Sequence, residues 1–207
     1  MIDEEGRVPV ARPAPVARPI LEELAARWSP RAIAPDRPVP HSAVLTVLEA
    51  ARWAPSSGNA QPWRYVLYDE EVSQERDLAR ATLKGGNAWA RVAPVLLLST
   101  VAKNWPGSDE PNPMALHDVG AASMALSLQA FAEGLVVHQL AGFDREAMRR
   151  VAQLPAGIDP VTLVALGYPG EIGDLPDKLQ QRERGERARR PIGELAWRGT
   201  IDGPPVT

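Results

Sequence analysis

Two arginines and a serine fall within five residues at Arg27-Trp28-Ser29-Pro30-Arg31, and five arginines crowd Arg182 to Arg190 against Glu183 and Glu186. Guanidinium groups pair bidentately with phosphate oxygens and a hydroxyl adds a donor, so both clusters hold the chemistry of an anion site. Each also has a plainer reading. The first can be a turn after a helix with both arginines in water, and a charge run is usually a solvated face. On residue types alone the solvated turn weighs more for Arg27 to Arg31. A third polar cluster lies in Ala54 to Trp63, which reads Ala-Pro-Ser-Ser-Gly-Asn-Ala-Gln-Pro-Trp. Rigid polar loops on a scaffold are common places to hold a ligand. Turn chemistry accounts for Pro55 to Asn59 without any ligand, but it accounts less well for Gln61 and Trp63.

These clusters need elements to position them. The spacing of apolar residues predicts helices over Pro19 to Arg27 and Pro40 to Ala54, the second with Val44, Leu48 and Ala51 on one face. Arg64 to Tyr68 reads as a strand, Glu70 to Leu83 as a polar helix, and Ala93 to Val101 as a buried strand. Lys103 to Pro113 is a proline-rich loop. Met114 to Glu133 is a long helix with no charge from Gly120 to Ala132, the mark of a helix at a subunit interface or at the centre of the fold. Val136 to Leu140 is a short strand, Asp144 to Gln153 a helix capped by Asp144, and Val161 to Gly167 a final strand. Strands alternating with helices argue for an α/β fold, a mixed sheet with helices on both faces. Val-Ala-Arg-Pro occurs twice, at Val10 to Pro13 and Val16 to Pro19; residues 1–18 read as a Pro/Ala-rich arm and residues 19–207 as a single domain.

Composition narrows the function. The 207 residues carry 23 Lys and Arg against 26 Asp and Glu, a net charge of −3 that makes no general case for nucleic acid or membrane as partner. No cysteine is present, and none of the three histidines (His41, His117, His138) stands at metal-ligand spacing, so no metal site is expected. His138 reads as a satisfied core histidine. No Gly-x-Gly-x-x-Gly follows a strand, so no resident dinucleotide site of the Rossmann kind is visible. No segment has the apolar length of a signal peptide or membrane span, which makes a cytoplasmic location the default expectation.

The loop from Ala54 to Trp63 matches throughout the A-P-S-S-x-N-x-Q-P-W signature of the nitroreductase family. Three further pieces follow the family's order: Arg27 to Arg31 resembles R-x-S-x-R, Gly134 to Asp144 the central segment, and Arg187 to Ile192 the terminal R-x-R-K-P-L. Four pieces in order over roughly residues 20–197 identify the chain as a member. The resemblance implies a nitroreductase-like α+β fold. It implies a homodimer built on the long central helices, with a C-terminal arm swapped onto the partner. Bound FMN is the implied cofactor, with NAD(P)H as a transient electron donor and a small-molecule acceptor such as a nitroaromatic or quinone.

The resemblance also assigns residues. Arg27, Ser29 and Arg31 become phosphate ligands, with the Trp28 backbone beside them, and Arg187 and Arg189 close over the phosphate. Arg190 stands next to Arg189, so that last role falls on either. Pro55, Ser56, Ser57, Asn59 and Gln61 reach the flavin ring and ribityl chain from the other subunit, using side chains that both donate and accept. Gln139, Leu140, Ala141 and Gly142 form the wall facing the ring, and Trp63 belongs to the core. The segment Lys103 to His117 lies near the acceptor. With the chemistry carried by the cofactor, no catalytic acid or base is expected. Family branches with one dedicated substrate, and a non-catalytic flavin-binding protein, are the alternative readings.

Overall fold

The computed structural model describes residues 7–206; the first six residues of the expected arm and the last residue of the chain lie outside it. The elements are α1 (Glu22–Ala26), α2 (His41–Arg52), β1 (Trp63–Tyr68), α3 (Ser73–Ala81), β2 (Val95–Ala102), α4 (Ala115–Ala132), β3 (Val136–Leu140), α5 (Arg145–Val151), β4 (Ile158–Gly167) and α6 (Asp177–Arg184).

The four strands form one sheet in the order β1-β2-β4-β3. Every hydrogen-bonded pair is antiparallel, which corrects the expectation of a mixed sheet. The reason is an insertion. β2 and β3 run the same way, as a helical crossover through α4 requires, but β4 slots between them in the opposite sense. Strand–helix alternation in the sequence does not distinguish this from a parallel sheet.

Side chains alternate cleanly across the sheet, so each strand feeds two cores. On one face Leu96, Leu98, Leu163 and Ala165 pack with Ala79, Leu83, Phe143 and Met148 from the α3 and α5 side. On the other, Leu97, Val101, Val164 and Leu166 meet Val44, Val47 and Ala51 of α2 and Val119, Ala122 and Leu126 of α4. Helices therefore cover both faces.

Within the chain, α4 buries one stripe, Ala115, Asp118, Val119, Ala122, Ser123, Leu126, Ser127 and Ala130. Met124, Leu128 and Phe131 are half-buried, and Leu116 is 65% exposed. The sheet and α2 can cover only one side of a helix. After α6 the chain turns back on itself, with Val206 N–H donating to Ala196 O (2.9 Å), and leaves Ile192, Leu195 and Ile201 exposed.

Residues 7–18 lie along the body without regular structure of their own. Val8 is buried with Ile33 and Ile172, and its N–H donates to Gly170 O (2.9 Å). The amides of Arg12 and Ala14 donate to Ala26 O (2.8 Å) and Ala25 O (2.9 Å), two carbonyls that a five-residue helix cannot satisfy itself.

Candidate cofactor site

The chain leaves α1 in extended conformation at Arg27 (φ −61°, ψ 145°), so the helix ends where the polar segment begins. Pro30 is buried, and His138 of β3 holds it, Nδ1 lying 3.1 Å from Pro30 O. The rings of Trp89 and His138 meet at 61°, their centres 4.8 Å apart. Burial pushes the His138 pKa down to about 4. The ring is thus neutral near pH 7, and because Pro30 O can only accept, the proton sits on Nδ1 and is donated. His138 is a satisfied core histidine with a definite task, which is to pin the Arg27–Arg31 turn to the sheet.

The C-terminal arginines come to this turn. Arg12, Arg27, Trp28, Ser29, Arg31, Arg187 and Arg189 line one cavity of about 420 Å³, joined by Arg182, Glu183 and Glu186. Burial, then the charge of Arg189, lowers the pKa of Arg27. Burial lowers that of Arg187 too, followed by the charges of Arg27, Arg189 and Arg12. These guanidiniums repel one another, and a bound anion would relieve the repulsion.

The arginines do not share one role. Arg31 pairs with Glu183, whose carboxylate is 1% exposed, through Nη1 at 2.8 Å and through its own backbone N–H at 2.9 Å. Arg187 donates to three backbone carbonyls, those of Arg12, Ala25 (2.8 Å) and Arg27 (2.9 Å). Both are phosphate candidates by resemblance, and within the chain both also brace the cavity wall. Arg27 donates to Ser29 Oγ at 3.3 Å, and neither Arg27 nor Arg189 has an acidic partner among the described residues. The indole N–H of Trp28 is taken by Pro9 O (2.8 Å).

The polar loop is built differently. Gly58, Asn59 and Gln61 take left-handed backbone (φ 56°, 55° and 46°), at a cost of about 1 kcal/mol or more for each non-glycine. The surroundings impose it. Ser56 Oγ accepts from Gln61 N–H (3.0 Å), buried Asp118 of α4 accepts from Ser57 N–H (3.1 Å), and Gln61 Nε2 donates to Asn59 O and Oδ1 (both 3.1 Å). The Trp105 ring lies against Gly58, and a Cβ there would sit 3.6 Å from it. The Ser57 hydroxyl and the Asn59 amide nitrogen have no protein partner among the described residues. Trp63 is 6% exposed and in the core, as expected.

One chain does not bring this loop to the arginine cavity. The loop precedes β1, and Gln139 to Gly142 end β3, at opposite edges of the sheet. Three strand spacings separate those edges, about 14 Å. The side chains of Gln139 and Leu140 are taken up within the chain. Gln139 turns its amide to α4, donating to Ser123 O and Ser127 Oγ (both 3.2 Å), and Leu140 is buried in the core. Gly142 is explained by Asn87, into whose side-chain amide a Cβ would run. What Gln139 to Gly142 offer a ligand is backbone, together with exposed Ala141.

Arg12, Glu183 and Asn87 were not anticipated. The signal for Arg12 was the repeated Val-Ala-Arg-Pro; for buried Glu183 in a charge run there was none.

The nitroreductase family matches over residues 24–168. A crystal structure described as an oxidoreductase containing FMN superimposes with a TM-score of 0.84 at 32% identity, covering 92% of this chain and 96% of that one. An NADH dehydrogenase of Thermus thermophilus is 30% identical over 190 residues, 75% of this chain and 90% of that protein. A 5,6-dimethylbenzimidazole synthase of Rhodobacter capsulatus is 26% identical over 180 residues, 76% of this chain and 86% of its own length. With the family matched over most of its length and its signature loop and basic segments built into one fold, the chain belongs to the nitroreductase family.

Proposed function

We propose that the protein is an FMN-dependent oxidoreductase acting between NAD(P)H and an acceptor such as a nitroaromatic or a quinone. The observation that carries this reading is the cavity in which Arg12, Arg27, Arg187 and Arg189 crowd and repel one another, in a chain like an oxidoreductase that contains FMN. The donor set fits a flavin phosphate. Arg27 and Arg189 present guanidiniums without acidic partners among the described residues and Ser29 a hydroxyl, while Arg31 and Arg187 hold the walls apart. The Trp28 backbone completes that rim. When bound, FMN supplies a ring able to accept a hydride from NAD(P)H and to deliver electrons to an acceptor. The chain's own task is to hold that ring, exclude water from it and leave one face open. Backbone from Gln139 to Gly142 fits one wall.

The opposite wall fits Pro55, Ser56, Ser57, Asn59 and Gln61 of a second copy, because the loop lies across the sheet from its own arginine cavity. The half-covered side of α4 and the exposed apolar residues of the C-terminal tail support the same homodimer. Among the described residues no helix is long and apolar enough to cross a membrane. A cytoplasmic setting, where reduced nicotinamides are made and used, agrees with the reading. So does the division into an arm of residues 1–18 and a single domain thereafter.

The test is direct. Purified protein should be yellow, release FMN on heating at about one per chain, and oxidise NADH or NADPH with menadione or a nitrofuran. A colourless protein that takes up no added FMN refutes the proposal. The likeness to a 5,6-dimethylbenzimidazole synthase favours a second reading, one dedicated substrate. Bound FMN with no turnover of generic acceptors is its signature.

A further inference from the structure

The family match begins at residue 24, yet the arginine cavity is closed by a residue twelve positions earlier. The Arg12 guanidinium spans three successive carbonyls at the end of α6, donating to Glu183 O (2.6 Å), Arg184 O (3.4 Å) and Gly185 O. Those carbonyls are the ones a helix leaves unpaired at its C-terminus, where a cation is favoured by the helix dipole. The same guanidinium lies over the Trp28 ring, 4.8 Å from its centre. Its backbone works on the other side of the cavity. Arg12 N–H donates to Ala26 O at the end of α1 (2.8 Å), and Arg12 O accepts from Arg187. One residue thus touches both halves of the rim: the end of α1, which delivers Arg27 and Ser29, and the stretch from Glu183 onward, which delivers Arg187 and Arg189.

We propose that Arg12 is a positioning residue for the phosphate end of the flavin, so that the N-terminal segment sets the protein's preference for FMN over flavins without a phosphate. The proposal rests on the FMN reading above. Arg12 does not need to touch the phosphate, since its donors are spent on carbonyls. It fixes where Arg187 and Arg189 stand when the phosphate arrives, and its charge adds to the field there. A lysine keeps the charge but cannot fork across three carbonyls.

The test titrates FMN and riboflavin into flavin-stripped full-length protein, following quenching of flavin fluorescence. The variants are Arg12→Ala, Arg12→Lys and, as a control in the second Val-Ala-Arg-Pro unit, exposed Arg18→Ala. Arg12→Ala should raise the Kd for FMN about tenfold while riboflavin stays within about twofold. Arg12→Lys should recover only part of that loss, and Arg18→Ala should match the wild type. If Arg12→Ala weakens both flavins alike, or neither, the proposal is overturned while the FMN reading stands. Full recovery by lysine overturns the carbonyl fork. A wild type that binds FMN no better than riboflavin overturns the FMN reading, and this proposal with it. Should Arg12→Ala fail to fold, Arg12→Gln, which keeps most of the stem, carries the same comparison.

Discussion

Arg189→Ala separates an anion site from a solvated basic tail, because its effect should change sign with the ligand. Arg189 is exposed, and its guanidinium donates to the neighbouring Ala188 O, so truncation disturbs little packing. Its charge depresses the pKa of both Arg27 and Arg187. Without flavin, removing it should leave stability unchanged or raise it by up to about 1 kcal/mol, the range for exposed charge pairs. With FMN, losing one charge-assisted contact costs about 1.5–3 kcal/mol, and solvent screening places this site at the lower end, roughly tenfold in Kd. At an FMN concentration of about 100 Kd the wild type gains about 2.7 kcal/mol, and the variant at the same concentration gains about 1.4 kcal/mol. For a chain of 207 residues the difference shrinks the rise in Tm that FMN produces by about 3–5 °C relative to wild type. The assay is thermal unfolding with FMN, with riboflavin and without flavin. Riboflavin should produce no such gap between variant and wild type. An equal gap with both flavins, or a destabilised apoprotein, refutes the argument from repulsion.

Other perturbations probe the supports. Arg31→Ala strands the buried Glu183 carboxylate and should cost about 3–5 kcal/mol in chemical denaturation; a loss below about 1 kcal/mol would show the pair to be dispensable. His138 has a folded pKa of about 4 against 6.5 unfolded. Between those values the unfolded chain binds the extra proton, so its contribution is fully present above pH 6.5 and declines as pH falls toward 4, by up to about 3 kcal/mol. His138→Gln should flatten that part of the stability profile, and an unchanged slope would remove His138 from it. Met124→Arg on the half-buried side of α4 should abolish dimerisation and flavin retention together, read by light scattering and absorbance. A monomer that keeps its flavin would show that the Pro55–Gln61 loop does not come from a partner.

What the sequence made legible was whatever local chemistry decides. β3 runs from Val136 to Leu140 as its β-branched run between Gly134 and Gly142 implies, and Asp144 caps α5 by accepting from Ala147 N–H at 2.9 Å. α6 was not legible, because Asp-Lys-Leu-Gln-Gln-Arg-Glu-Arg carries no apolar period. It is held by a tertiary cause, Glu183 drawn into Arg31 from 152 residues away. The site divides the same way. Residue types pointed to the arginines, but which of them are free and which are braces depends on carbonyls and carboxylates distant in sequence. The inserted β4 is likewise a matter of connectivity, on which side-chain periodicity is silent.

The bond from Arg187 to Arg12 O joins positions 175 residues apart. Closing a loop of that length directly from a disordered chain costs about 4–5 kcal/mol in entropy, so this bond does not nucleate folding. The sheet and its two cores must shorten the loop first. The arginine cavity therefore matures last. During synthesis it cannot exist until Arg189 has been made, and in refolding, FMN capture should follow sheet formation as a separate, later phase. A flavin captured at this cavity would then select chains that are already folded, and would not template their folding.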